Sequence, residues 1–197
     1  ANLSIYADIA QIEVARGDEQ SALIFRVLET PTDADKLVLI SFAKQYELML
    51  FLHPNKPQKI TKLWPEDKNE LLQYSHPDFD ITLSFYPTDF TQVNLAINRK
   101  MVTKAIELLQ LSKEDNVLDL FCGLGNFTLP ISKFCAHVTG IEGSEEMVAR
   151  AKMNAKLNAR ENVDFFCTDL SQEISASWAT KKYSKLLLDP ARSGALE

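Results

Sequence analysis

Residues 1 to 90 alternate apolar and polar positions in short runs, the pattern of β-strands with one buried face. In "IAQIEVA", Ile12 and Val14 fall on one face, whereas Gln11 and Glu13 fall on the other. "SALIFRVLE" follows after the turn-like "RGDEQ", so these two segments predict a hairpin. Three further segments, "LMLFLH", "KITKLW" and "FDITLSF", are strand candidates, with the breaker "PNKP" between the first two.

One helix is predicted among these strands. Thr32, with Asp35 three positions later, is typical of a helix N-cap. Apolar residues then recur at helical spacing, at Leu37, Ile40, Ala43 and Tyr46. Residues 1 to 90 therefore predict a small α+β domain rich in antiparallel strands.

After Phe90 the pattern changes to helices that alternate with apolar strands. The segment "TQVNLAINRKMVTKAIELLQL" carries apolar residues at helical spacing, at Ile97, Met101, Ala105, Leu108 and Leu109, and predicts a helix. Then follow the strands "NVLDLF", "HVTGIE", "NVDFFC" and "KLLLD", with the helix "SEEMVARAKMNAKLN" after the second strand. This order predicts an α/β fold with a parallel sheet covered on both faces, whose ligands lie at the carboxyl ends of the strands.

Charge separates the same two regions. The net charge is −6, but residues 1 to 90 hold 8 Lys/Arg and 14 Asp/Glu, whereas residues 91 to 197 hold 13 of each. This difference supports a boundary near Phe90. No apolar run approaches the ~20 residues that cross a bilayer, and no secretory signal is visible, so we expect a cytoplasmic protein or a part of one.

The three cysteines, Cys122, Cys135 and Cys167, are spaced too irregularly for a zinc framework and are expected to be reduced. Cys135 and Cys167 are expected to be small buried residues. The three histidines form no metal or triad spacing, so surface or capping positions are expected for them and no metal is predicted.

The first strand of the α/β region ends in "DLFCGLGNF", where Gly123 and Gly125 permit a tight turn beside a ligand. A dinucleotide fingerprint would have a third glycine, but that position holds Thr128. Asp119 suits a ligand with a cationic ammonium group better than a pyrophosphate, which it would repel. A simple tight turn without a ligand is the alternative.

Two more acidic residues follow the next strands. Glu142 ends the second strand and can accept hydrogen bonds from both ribose hydroxyls of an adenosine, while Asp169, past the third strand, can accept one from an adenine amino group. A solvated glutamate and a turn aspartate are the alternatives. Together with the glycine turn, and without a phosphate-binding lysine, these acids predict a pocket for S-adenosylmethionine, with a nicotinamide-dependent dehydrogenase as the second reading.

The segments "FTQVN", "VLDLFCGLGNFTLP", "GIEGSEEMVARAKMNAKLN" and "LLLDPARSGA" resemble, in order and spacing, the RNA uracil-5-methyltransferase family. The likeness is closest to the branch that acts on 23S ribosomal RNA. It implies a small α+β central domain over residues 1–90 and, over residues 91–197, the N-terminal half of a class I, Rossmann-like methyltransferase domain.

The resemblance also implies which side chains contact S-adenosylmethionine. They are Gln92, Phe121, Asn126 and Glu142, together with the acid after the third strand, here Asp169. Asp189, from the Asp-Pro-Ala-Arg segment, is implied to lie between the cofactor's methionine end and the target uracil.

In this family a cysteine thiolate adds to C6 of the uracil, C5 then attacks the methyl group of the cofactor, and a glutamate removes the C5 proton. The resemblance places both residues beyond Glu197, so this chain is expected to hold no catalytic residue and to be inactive alone. Cys122 is the tempting substitute, because N–H groups of the turn would lower its pKa, but the family has a separate nucleophile. An iron–sulfur cluster is expected only in a part that would precede Ala1.

The expected partner is 23S ribosomal RNA, although a transfer RNA enzyme of the same family and a non-catalytic RNA- or cofactor-binding module remain open. Basic residues that could contact RNA are Lys56, Lys59 and Lys62 beside Trp64, and Arg99, Lys100 and Lys104, with ordinary solvated lysines as the alternative. The fourth strand would leave a leucine-rich edge, which predicts dimerisation.

Overall fold

The computed structural model describes residues 3–54, 59–67, 69–172 and 176–190 of the 197-residue chain. Contacts divide the chain into two compact units. The first unit comprises Ala1–Tyr74 and Phe85–Asp89, and the second comprises Ser75–Ser84 and Phe90–Glu197.

The first unit is a four-stranded sheet with one helix. Its elements are β1 (Ile9–Arg16), β2 (Ser21–Val27), α1 (Asp33–Gln45), β3 (Leu48–Pro54) and β4 (Thr61–Trp64), in the spatial order β1-β2-β3-β4. The predicted β1/β2 hairpin is confirmed, and β3 and β4 are also antiparallel. The neighbours β2 and β3 are parallel, because α1 connects them as a crossover. The core between α1 and the sheet includes Phe25, Leu39 and Leu50.

The predicted cap of α1 is confirmed. The Thr32 hydroxyl accepts a hydrogen bond from the Asp35 backbone N–H at 3.2 Å, and the Asp35 carboxylate accepts one from the Thr32 N–H at 3.1 Å. Ser4 adds its own N–H and hydroxyl as donors to the same carboxylate, both at 2.6 Å. These donors hold the pKa of Asp35 well below its usual range, so the cap is an ionised, buried carboxylate.

A two-stranded sheet contains residues of both units. It consists of β5 (Leu72–His76) and β6 (Ile81–Phe85), with a short 3₁₀ turn at Pro77–Phe79 between them. The predicted boundary near Phe90 placed this whole hairpin before the α/β region, but its tip, Ser75–Ser84, groups with the second unit. The physical reason is that side-chain amides of the second unit hydrogen-bond the β6 backbone: Asn154 at Ser84 and Asn158 at Thr82.

The second unit is an α/β layer structure. Its elements are α2 (Leu95–Leu109), β7 (Asn116–Leu120), α3 (Thr128–Ile131), β8 (His137–Glu142), α4 (Glu145–Leu157), β9 (Val163–Cys167) and β10 (Lys185–Leu188). The four strands are parallel in the order β10-β7-β8-β9, as the alternating pattern predicted. Apolar residues such as Val117, Ile141 and Phe165 are buried between the sheet and its helices.

α2 does not turn all of its periodically spaced apolar residues toward the core. Ile97, Met101 and Leu108 are exposed, whereas Asn98 and Val102 are buried. The helix turns this way because Asn98 pairs with a polar group inside the unit, which an apolar periodicity cannot indicate.

The fourth strand, β10, lies at an edge of the sheet as predicted, with β7 its one partner among the described residues. Leu186 and Leu188 are 54% and 49% exposed. Within the described ranges, no helix combines the length and the apolar character that crossing a membrane requires.

Candidate functional site

The carboxyl ends of the parallel strands bring several acidic residues to one edge of the second unit. Asp119 lies near the end of β7, Glu142 ends β8, and Asp189 directly follows β10. The strands end at the same level, since Leu120 of β7 is paired with Ile141 of β8 on one side and with Leu188 of β10 on the other. Ligands of such sheets bind outside these ends, so this edge is the candidate site.

The segment Phe121–Phe127, here called the glycine turn, leads from β7 into α3. Phe121, Gly123 and Gly125 have φ values of 63°, 55° and 96°, so three of its residues are in the left-handed region. A Cβ on Gly125 would also come within 3.2 Å of Leu129. The predicted tight turn is confirmed; Gly125 is required by its φ and its close neighbour, whereas the left-handed φ of Gly123 is one that glycine adopts most easily.

The Glu142 carboxylate is held in a fixed orientation. One oxygen accepts a hydrogen bond from the Gly123 backbone N–H at 3.0 Å, and the other accepts one from the Ser144 N–H at 3.1 Å. Glu142 is half-buried, and each carboxylate oxygen retains acceptor capacity beyond these bonds. It can therefore receive two neighbouring hydroxyl groups, as the ribose of an adenosine presents them. Ser144 also caps α4, its hydroxyl accepting a hydrogen bond from the Met147 N–H at 3.4 Å.

Asp119 is fully buried beneath the glycine turn. Burial raises the pKa of this carboxyl group to about 7, with smaller contributions from the negative charges of Asp189 and Glu142. Thr128 donates its hydroxyl hydrogen to Asp119 at 2.5 Å, which opposes the increase. Thr128, the residue at the third glycine position of a dinucleotide fingerprint, is thus the direct partner of Asp119.

The charge of this edge suits a cation and not a phosphate. A cationic ligand would be attracted by Asp119 and Asp189, whereas the negative charges of a pyrophosphate would be repelled by Asp119, Glu142 and Asp189 together. The residues present therefore fit S-adenosylmethionine, which combines a ribose with a sulfonium and an ammonium group, better than a nicotinamide dinucleotide.

Two of the predicted contact residues are less constrained. Asp169, just past β9, is exposed, and its carboxylate accepts hydrogen bonds from the Ser171 hydroxyl (2.7 Å) and N–H (3.0 Å), which lower its pKa. The strand-end pairing of Thr168 N–H with Glu142 O at 2.9 Å brings Asp169 to the same edge. Gln92 is half-buried ahead of α2, and among the described residues it makes no hydrogen bond to the glycine turn.

The Asn126 side chain is held by hydrogen bonds to other side chains of the protein. Its amide pairs reciprocally with that of Asn98, with both N–O distances at 2.9 Å, and His76 Nε2 lies 3.0 Å from Asn126 Oδ1. Asn98 and His76 are both 1% exposed, so the expected surface or capping position of His76 is wrong. Neither residue was singled out from the sequence as part of the site; a polar residue amid the apolar positions of α2 was the available signal for Asn98.

The two buried cysteines do not offer an activated thiol at this edge. Burial raises the pKa of Cys122, and the nearby Asp119 and Glu142 raise it further, so the expected lowering by N–H groups is wrong. Gly140 leaves the space that this thiol fills, since a Cβ there would lie 2.9 Å from Cys122 Sγ. Cys135 is buried as predicted, and its pKa rises to about 11 mainly through burial.

Cys167 is exposed, contrary to the prediction; it ends β9, the outermost strand on that side of the sheet, where it pairs with Glu142 of β8. In the described ranges there is no group of three or more His, Cys, Asp or Glu side chains arranged to hold a metal.

The basic candidates for RNA contact are partly occupied by local interactions. Lys62 pairs with Asp67 at 2.6 Å, Lys104 pairs with Glu107 at 2.9 Å, and Arg99 donates to Ser75 O at 2.9 Å. Lys44 lies over the Trp64 ring, 4.4 Å from its centroid. Lys56 lies outside the described residues, and RNA contact by any of this set stays a prediction.

Comparison with known families identifies one match over most of the chain. Residues 45–194 match the profile described as tRNA (uracil-5-)-methyltransferase. Proteins named 23S rRNA (uracil(1939)-C(5))-methyltransferase RlmD are similar in sequence: that of Legionella pneumophila (strain Paris) is 50% identical over 96% of this chain, and that of Hahella chejuensis is 48% identical over all of it. The alignments cover 43% and 45% of those proteins, so the chain spans less than half their length.

Solved structures share the fold. The Pyrococcus abyssi tRNA (uracil-54, C5)-methyltransferase, determined with S-adenosyl-L-homocysteine, superposes with a TM-score of 0.70 at 21% identity, over 92% of this chain and 43% of that one. The Methanocaldococcus jannaschii tRNA m1G37 methyltransferase gives 0.57 at 14% identity, over 91% and 53%. The predicted α/β, class I methyltransferase fold preceded by a smaller unit is thereby confirmed.

Proposed function

The chain belongs to the tRNA (uracil-5-)-methyltransferase family, and we propose that it forms the cofactor-binding part of an enzyme that methylates C5 of a uridine in 23S ribosomal RNA. Ribosomal RNA is favoured over transfer RNA because the similar proteins at 48–50% identity are named for 23S rRNA. Because the chain covers under half of those proteins, their activity and substrate are assigned to this chain only as part of the proposal.

The cofactor is S-adenosylmethionine, which when bound supplies an electrophilic methyl group on a sulfonium. Glu142 accepts hydrogen bonds from the two ribose hydroxyl groups. Asp119 and Asp189 provide negative charge for the cationic methionine end. Gly123 and Gly125 let the backbone approach the ligand closely. Asp169 accepts a hydrogen bond from the adenine amino group. Phe121, Asn126 and Gln92 complete the proposed set, on the resemblance of their motifs. The observation that carries the proposal is the orientation of the Glu142 carboxylate by the Gly123 and Ser144 N–H groups.

We expect these 197 residues to bind cofactor without transferring its methyl group to RNA by themselves. Addition to C6 of a uracil requires a thiolate, and the raised pKa values of Cys122 and Cys135 keep both as thiols near neutral pH. Cys167 is exposed and lies beside Glu142 at the end of β9, but the motif resemblance assigns the nucleophile to a different cysteine. The nucleophilic cysteine, the glutamate base and the iron–sulfur cluster stay predictions for the longer protein.

The same proposal extends to the place where the enzyme acts and to self-association of the chain. We infer that the enzyme acts in the cytoplasm, because the similar proteins come from bacteria and are named for 23S rRNA. The exposed leucines of β10 support self-association of this chain through the edge of its sheet.

Titration calorimetry tests the cofactor assignment directly. S-adenosylhomocysteine should bind the full 197-residue chain at one site, and NADH should not. A chain with folded circular dichroism that binds NADH tightly and S-adenosylhomocysteine not at all would overturn the assignment. Methyl transfer from radiolabelled S-adenosylmethionine to a ribosomal RNA fragment, by this chain alone, would overturn the account of its cysteines.

A further inference from the structure

We propose that Asn98 and His76 are positioning residues, which hold the glycine turn in its ligand-binding shape through the side chain of Asn126. The inference rests on the proposed cofactor-binding function and deepens it, because it assigns a role at the site to two residues outside the turn. Both belong to the second unit, one on α2 and the other at the end of β5.

The first step is the geometry of the three side chains. Asn98 Nδ2 donates to Asn126 Oδ1, and Asn126 Nδ2 donates back to Asn98 Oδ1, each at 2.9 Å. This reciprocal pair fixes both amide planes. His76 Nε2 approaches the same Oδ1 at 3.0 Å, so it acts as the second donor to that oxygen and carries the hydrogen. An amide held on three bonds cannot rotate without leaving buried polar groups unpaired.

The second step is the strain of the turn. Phe121, Gly123 and Gly125 all have positive φ, and a non-glycine residue such as Phe121 keeps that conformation only where its surroundings over-determine it. Such a turn needs anchors along its length.

The remaining anchors are visible at successive residues. Cys122 N–H donates to Ile141 O at 3.0 Å, Gly123 N–H donates to Glu142, and Leu124 O accepts from the Asn154 amide at 3.1 Å. These bonds tie the first half of the turn to β8 and α4. At Asn126 the anchor is the side-chain cluster with Asn98 and His76, and it ties the second half of the turn to α2 and β5.

The third step is burial. Asn98 and His76 are each 1% exposed, which removes them from direct ligand contact but makes the loss of their hydrogen bonds costly. A change in either residue should therefore reach a ligand only through Asn126 and the turn. This distinguishes a positioning role from ligand contact.

A double-mutant cycle on the full chain tests the proposal, with the dissociation constant of S-adenosylhomocysteine and the thermal unfolding midpoint measured for each variant. Asn98→Ala should weaken binding about tenfold in the wild-type background, and by less than about twofold when Asn126→Ala is already present. Asn158→Ala is the matched control: it removes an asparagine that bonds Thr82 of the same hairpin, and it should lower the unfolding midpoint while binding stays within about twofold.

A second arm uses His76. His76→Gln can place an amide donor near the position of Nε2 and should retain binding within about threefold, whereas His76→Leu should weaken it about tenfold and lose that effect in the Asn126→Ala background. This arm decides the question if Asn98→Ala does not fold.

Additive losses in both cycles, or losses of affinity that simply follow the unfolding midpoint as in Asn158→Ala, would overturn the positioning role. If the folded wild-type chain binds no S-adenosylhomocysteine, the cofactor assignment itself fails. If the wild type binds and the effects add, only the role of Asn98 and His76 fails.

Discussion

Thr128 donates its hydroxyl hydrogen to the buried carboxylate of Asp119 across 2.5 Å. The pair lies beneath the glycine turn. Thr128 stands at the position of the third glycine of a dinucleotide fingerprint, and it supplies a hydrogen-bond donor there. Even with this donor, burial keeps the pKa of Asp119 at about 7. The carboxyl group is thus poised to change charge near neutral pH.

Asp119 should make the stability of the chain fall as pH rises through the weakly acidic range. Its pKa is about 7 when folded against a usual value of 3.8, so between these values the folded state holds a proton that the unfolded state has lost. The free energy of unfolding should decrease from about pH 4 to about pH 7 and then level off, a loss of roughly 2 kcal/mol between pH 5 and pH 8 from this residue. Thermal unfolding across this range measures it.

Asp119→Asn is the informative variant, because asparagine still accepts from Thr128 but does not ionise. It should unfold at a higher temperature than the wild type at pH 8, with a smaller difference at pH 5. Glu114→Gln, at an exposed carboxylate before β7, should show no such dependence. An equal effect of Asp119→Asn at both pH values would mean that its pKa is not raised.

Glu142 should control affinity for an adenosine ligand. Glu142→Ala removes a charged acceptor that the Gly123 and Ser144 N–H groups orient, and we expect S-adenosylhomocysteine to bind roughly 10- to 100-fold more weakly. Glu142→Gln retains one carbonyl acceptor and should fall between Ala and the wild type. Glu145→Gln, an exposed acid in the first turn of α4, is the control and should bind normally. Equal affinity for wild type and Glu142→Ala would remove Glu142 from the site.

The three thiols should react at different rates with a maleimide. Cys167 is exposed and should be modified within the native state, while Cys122 and Cys135 are buried, with raised pKa values, and should react only as the chain opens. Mass spectrometry after a short exposure locates the label. The single variant Cys167→Ser should abolish the fast phase, and fast native labelling of Cys122 would reopen the question of its reactivity.

The sequence was most informative about the site where the alternation of strands and helices decides which residues lie together. Asp119, Glu142 and Asp189 could be expected at one edge, because strands that alternate with helices run parallel and their carboxyl ends meet there. The glycine turn and the Ser144 cap also follow from local residue types, since positive φ and an orphan N–H group impose local requirements.

The features that could not be foreseen depend on long-range partners. α2 buries Asn98, which pairs with Asn126, and exposes Ile97, and no local pattern encodes that partner. The hairpin tip joins the second unit through the side chain of Asn154, 70 residues away from Ser84. Cys167 is exposed at the end of β9, and the strand's own residues do not reveal that β9 lies at an edge of the sheet.

The exposed edge of β10 leads to the last prediction, self-association of the chain. An edge strand presents unpaired N–H and C=O groups, and here Leu186 and Leu188 are about half exposed beside them, so pairing with a second copy would satisfy the backbone and bury apolar area. Sedimentation velocity should show a concentration-dependent dimer. Leu186→Glu should shift the chain toward monomer, whereas Leu37→Glu, at a leucine of α1 that is 68% exposed, should leave the equilibrium unchanged. A wild-type chain that remains monomeric at the highest soluble concentration, or a dimer equally sensitive to both variants, would rule out the β10 edge as its interface.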